Sequence, residues 1–189
     1  MKYSEKKAAQ AAAFFIRKSG GTIDVLKLVK LMYLSERESL SKYGEPLTGD
    51  GLYSMDHGPI LSITLNHIND LIDSEDDGWD SWISDRENHK LGLVKEDTSI
   101  EDLTFLSDAD VKILDAVWSE HGHLSKYEIR DLTHKICSEW EDPKGSSNPI
   151  PYSRLLKCVG YDPEVATEIE ERIIQQRNLE SKFELSEQP

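Results

Sequence analysis

Basic residues are scarce in this chain. Its 22 Lys and Arg face 36 Asp and Glu, a formal net charge of −14 over 189 residues. A field of that sign repels phosphate and argues against nonspecific nucleic-acid binding, which depends on Lys and Arg displacing counterions. Long apolar runs are missing too. Nothing approaches the ~20 residues of a membrane-spanning helix, and the opening "MKYSEKKAAQ" has no uninterrupted apolar core of a secretion signal. Cys137 and Cys158 lack metal-ligand spacing, so a reducing cytoplasm is the expected setting, with both thiols half-buried and inert. No Gly-rich phosphate loop is present, and no Ser or Cys sits in a nucleophile elbow. The chain reads as a non-enzyme without cofactor or metal.

What is present is helical punctuation. Ser4 caps a segment to Lys18 that carries Ala8, Ala9, Ala11, Ala12 and Ala13, and Gly20-Gly21 ends it. A second segment runs from about Asp24 to Tyr43, with Leu28, Leu31, Met32 and Ser35 at helical spacing and Gly44 beyond its end. Ser107 with Asp110, and Ser125 with Glu128, are two capping boxes. The second opens a helix expected to turn Ile129, Leu132 and Ile136 inward, and Gly122 closes the helix before it. A last helix is expected over 163–183, with Val165, Ile169 and Ile173 at four-residue spacing and an acidic tail from Glu184. The whole, residues 1–189, reads as one mainly α domain of six or seven helices, with a small β ribbon drawn from 46–55 and 91–95. Residues 70–87 hold eight acids and one base and read as a solvated excursion, although Trp79 and Trp82 suggest that part of it packs back.

The stretch "KYGEPLTGDGLYSMDHGPILSITL" (42–65) concentrates backbone punctuators. Gly49-Asp50-Gly51 predicts a tight turn between two extended pieces. Gly58-Pro59 predicts a sharp bend into a helix with Pro59 in its first turn, followed by a stripe of Leu61, Leu65, Ile68 and Ile72. These tasks leave Tyr53, Asp56 and His57 unexplained. In "EHGHL", Glu120, His121 and His123 lack further ligands and read as polar residues at a helix end rather than a metal site.

The same stretch, with the helix before it, resembles the Panacea domain, a phage-associated family also described as SocA-like antitoxin domains. The resemblance rests on Lys27, Leu28, Lys30, Leu31 and Tyr33 in one helix, and on a Tyr-Gly-x-Pro loop from Tyr43 to Asp50 that includes Gly44, Pro46 and Gly49. Gly58 and Pro59 follow. A later helix bears Leu132, Thr133 and His134 ahead of Trp140, so the likeness covers roughly residues 5–158. It implies an antitoxin that neutralises the product of a neighbouring toxin gene by direct contact. One member instead delivers its toxin to a protease. A phage or host interaction protein without a toxin is the remaining alternative.

Charge favours a basic toxin as the partner, the plainer reading of the same charge being solubility alone. Aromatic anchors are needed at a contact centre. Tyr53, Trp79 and Trp82, with Asp56 and His57, are the candidate partner-binding residues, and the sequence leaves homo-oligomerisation open.

Overall fold

The computed structural model describes residues 2–186, with side chains described for all but Ser181 and residues 183–186. The expectation for the tail from Glu184 therefore lies outside the described side chains. The Ser4 hydroxyl accepts from the Lys7 N–H at 3.3 Å and opens α1 (Glu5–Lys18). All five alanines of α1 are fully buried, because small side chains let neighbouring backbones close in on several sides. Gly20 and Gly21 adopt positive φ and turn the chain into β1 (Thr22–Asp24), which runs straight into α2 (Val25–Tyr43). Gly44 ends α2 in the left-handed conformation, φ 63°.

Beyond it come the hairpin strands β2 (Leu52–Met55) and β3 (Gly58–Leu61), then α3 (Ser62–Ile68), α4 (Trp79–Trp82) and β4 (Lys90–Gly92). The chain continues through α5 (Asp108–His121), α6 (Lys126–Ile136), β5 (Asn148–Pro149), α7 (Tyr152–Cys158) and α8 (Pro163–Ser186). The architecture is mainly α with small antiparallel β elements, as expected. Eight helices stand among the described residues, one of them the single four-residue turn α4. Both capping boxes form, at the starts of α5 and α6.

Several expectations are corrected. The strand at 90–92 does not join the glycine-rich loop. It pairs with β1, setting Leu91 opposite Ile23, and both are 2 % exposed. Joint burial of those two side chains selects the partner. The loop forms its own sheet, in the order β3-β2-β5. Pro59 lies in β3 rather than in a helix. As β3 is an edge strand, the missing N–H need not disrupt the ladder. Helix α3 stops at Ile68, so Ile72 and Leu71 are exposed. Ile136 and Val165 are exposed as well, each near a helix terminus. Cys137 is buried and its thiol pushed up to about 12 by burial, whereas Cys158 is exposed rather than half-buried.

The acidic stretch is held in place by one buried carboxylate. Glu5 of α1 accepts from the Ser74 hydroxyl at 2.6 Å, the Trp79 N–H at 2.7 Å and the Glu75 N–H at 3.2 Å. Trp79 then stacks on His67 with centroids 5.7 Å apart.

Candidate functional site

The turn residues between α2 and β2 lie inside the molecule. Pro46, Leu47, Thr48, Gly49 and Asp50 are all buried, so their polar groups need internal partners. Glu36 of α2 supplies acceptors for the Thr48 N–H and hydroxyl, both at 2.9 Å, and for the Gly49 N–H at 3.1 Å. Burial pushes this carboxyl up to about 7 against the pull of those donors. Asp50 accepts from the N–H groups of Gly51 (2.6 Å), Ile63 (2.8 Å) and Thr64 (2.7 Å), and from the Thr64 hydroxyl (2.7 Å). Two of those N–H groups belong to the first turn of α3, so Asp50 caps that helix from a distance in sequence. Its backbone carbonyl accepts from the Tyr152 hydroxyl at 2.8 Å.

A second network joins α2 to the end of α6. The Tyr33 hydroxyl and the Arg37 Nε both donate at 2.9 Å to Oε1 of Glu139, a carboxylate with no exposed surface. Trp140 donates through Nε1 to the Met55 carbonyl at 2.9 Å and stacks on His134 with centroids 4.4 Å apart. Burial pushes the His134 imidazole down, and its Nε2 has no hydrogen-bond partner among the described residues. His134 is half-buried, stacked on Trp140 and hydrogen-bonded to the His57 backbone. Gly58 makes the stack possible. At φ 92°, a Cβ there would stand 2.8 Å from His134 Cδ2 and 3.0 Å from Thr133 Oγ1. Gly58→Ala is expected to lower stability by about 1–3 kcal/mol from backbone strain alone, with the ring clash adding to it. Thermal melts and the near-ultraviolet signal of Trp140 would register both.

Above this frame a cleft of about 610 Å³ opens between α2, the hairpin, Leu65, the 86–89 loop and the start of α6. Val25, Val29, Met55, Ile60 and Leu65 give it apolar walls, with Lys30 at the floor. Asp56 and His57 sit exposed at the hairpin tip and line the cleft, as does Tyr127, which is 57 % exposed. Asp56 is anchored by the Gly145 N–H at 2.9 Å, and Asp24 on the opposite margin accepts from Lys126 Nζ at 2.8 Å.

The remaining expected contact residues go elsewhere. Tyr53 is half-buried on the central strand β2, opposite Ile60 and Pro149. Trp79 is 3 % exposed and belongs to the core, which leaves its ring no face for an anchor. Trp82 is half-buried and lines a separate cleft of about 460 Å³. Phe105, which is 48 % exposed, lines it too, with Asp77, Asp97, Asp102 and Lys95, and Lys6 lies 5.3 Å over the Phe105 ring and 3.8 Å from Asp77. Among the described residues, no three or more of His, Cys, Asp and Glu are placed to hold a metal ion. None of the described helices is long and apolar enough to cross a membrane.

Sequence reasoning missed Glu36, Glu139, Tyr127, Arg86 and Phe105. Glu36 did carry a signal: it lies four residues after Met32 on the apolar stripe of α2, where an acid needs a reason.

The α2 post, buried turn, hairpin and α6–Trp140 clamp together are the elements that the family signature spans. The chain belongs to the family described as antitoxin SocA-like, Panacea domain, whose model matches residues 28–141, more than half of the chain. That span is narrower than the 5–158 of the resemblance and leaves α1, α7 and α8 outside it. Searches of curated proteins and of solved structures returned no match. Family membership supports an antitoxin role, a protein partner and a non-enzymatic function.

Proposed function

We propose that this chain is the antitoxin of a type II toxin–antitoxin pair, acting as one cytoplasmic domain that neutralises a basic toxin by direct contact. The observation that carries this reading beyond the family is the cleft around Trp82. Trp82, Phe105 and three carboxylates line it, on a protein of net charge −14, and the chain's own Lys6 already lies 5.3 Å over the Phe105 ring and 3.8 Å from Asp77. Aromatic rings beside acids suit Lys and Arg side chains, which gain from both the ring faces and the charges. The field of the whole molecule steers such a partner inward before contact. Asp56 and His57 at the hairpin tip form a second exposed point of contact.

Co-expression with the neighbouring open reading frame tests the function. Growth is expected to recover, and the two proteins to co-purify. Failure of both would overturn the proposal. Loss of the toxin from cells in a protease-dependent manner would transfer the reading to the adaptor alternative. A further expectation concerns rates. Association should slow by about tenfold or more between low and high ionic strength, and Asp97→Lys should reduce that salt dependence. A rate indifferent to salt would remove the steering argument.

A further inference from the structure

We propose that the cleft over Lys30 seats an apolar segment of the partner protein that bears a carboxylate, and that this carboxylate supplies the counter-charge Lys30 lacks. That the partner is a toxin rests on the reading above; the chemistry of the occupant rests on the cleft.

Lys30 has no exposed surface. An ammonium carries three donors, and Lys30 Nζ makes one hydrogen bond among the described residues, to the Pro59 carbonyl at 2.8 Å. The charged or titratable groups acting on it are Arg130 of α6, which repels it, and Cys137. Neither is a carboxylate. His134, also of α6, feels Lys30 as a like charge. Buried lysines are normally paired, since an isolated buried charge is costly. Burial here pushes the ammonium down to about 7.

The lining holds two carboxylates against the three bases Lys30, Arg86 and Lys126: Asp24 is paired with Lys126, and Asp56, held by the Gly145 N–H, is exposed at the hairpin tip. Of the other ionisable groups of the lining, Arg86, His57 and His89 are bases or can become cations, and the Tyr127 phenol is neutral at neutral pH. In an acidic protein this cleft is therefore deficient in negative charge. Its walls, from Val25, Val29, Ile60 and Leu65, call for hydrocarbon. Hydrocarbon with one carboxylate satisfies both demands. A Glu or Asp side chain, or a chain terminus, flanked by apolar residues has that composition. Lys30 is fully covered, so the pairing acts through a low-dielectric floor, where a charge several ångströms away still counts.

The cleft can be tested without the partner. Hexanoate and hexanamide share a tail and differ in charge. In methyl-detected NMR titrations of the intact protein, hexanoate is expected to saturate shifts at Val29, Ile60 and Leu65 with affinity at least about tenfold above hexanamide. In Lys30→Met, a substitution of similar length, that preference should disappear. Equal affinities, no binding, or shifts at other methyls would overturn the proposal. The second arm uses the complex with the product of the neighbouring gene. Lys30→Met should weaken it by about tenfold or more, with no loss of thermal stability. Hexanoate binding with an unchanged complex would assign the cleft to a free carboxylate and reject a partner segment. If the wild-type protein forms no complex, neutralisation fails as a reading, and the hexanoate contrast still decides what the cleft accepts.

Discussion

Asp50→Ala is expected to cost this protein roughly 4 kcal/mol or more, the sum over several buried donors that each lose their acceptor. The carboxylate is the acceptor for three N–H groups and one hydroxyl, at 2.6–2.8 Å. Water has little access, because Asp50 is fully buried. Helix α3 has only seven residues and depends on that acceptor for its first turn. Asp50→Asn gives a graded comparison. It keeps one oxygen but sets an amide N–H₂ against existing donors, so about half of the loss or more is expected. Urea unfolding at unchanged m-value would measure both. A loss below about 1 kcal/mol for the alanine variant would show that the turn re-forms its bonds elsewhere.

Lys30→Met is expected to move stability the other way, and by a pH-dependent amount. In the folded protein, burial holds this ammonium near 7, far below the ~10.4 of an unfolded lysine. Across that window the unfolded chain binds more protons, so the native protein gains stability as pH rises from about 7 towards 10. Its penalty is full below pH 7, where the buried group must carry its charge. Methionine removes the penalty and leaves the Pro59 carbonyl without that donor. A net gain of about 1–3 kcal/mol is expected at pH 6, shrinking steadily towards pH 10. Denaturant titrations at several pH values would follow the difference. A gain that is flat with pH would mean that Lys30 titrates in the native protein as it does in the unfolded chain, with no depression by burial. Together with the expected loss of partner affinity, such a variant would be a more stable and less capable antitoxin, the trade-off typical of binding sites.

Much of the helical frame was legible because its signals are local. Ser4, Ser107 and Ser125 cap the helices they were expected to cap. Gly44 ends α2 because a left-handed residue there excludes a side chain at little cost only for glycine. Leu28 and Leu31 face inward, as their spacing requires. The candidate site was less readable. Asp56 and His57 stand exposed on a cleft margin, while Trp79, chosen by residue type, is part of the core. Indole area drives a tryptophan to whichever apolar surface is nearest, and only the path of the chain says whether that surface is its own or another protein's.

By itself the sequence determined most of the helices, their caps and the acidic field, since each depends on residues close in the chain or on composition; the tight turn expected at 49–51 lies instead at Asp56 and His57, between β2 and β3, and α3 is shorter at both ends than expected. Only the tertiary structure decided that the 90–92 strand pairs with β1, that the glycine-rich loop lies inside the molecule, and that Lys30 is buried with no carboxylate partner among the described residues. The physical reason is desolvation. Whether a charge, a turn or a ring is exposed depends on which distant segments close over it, and those contacts are made between residues far apart in the chain.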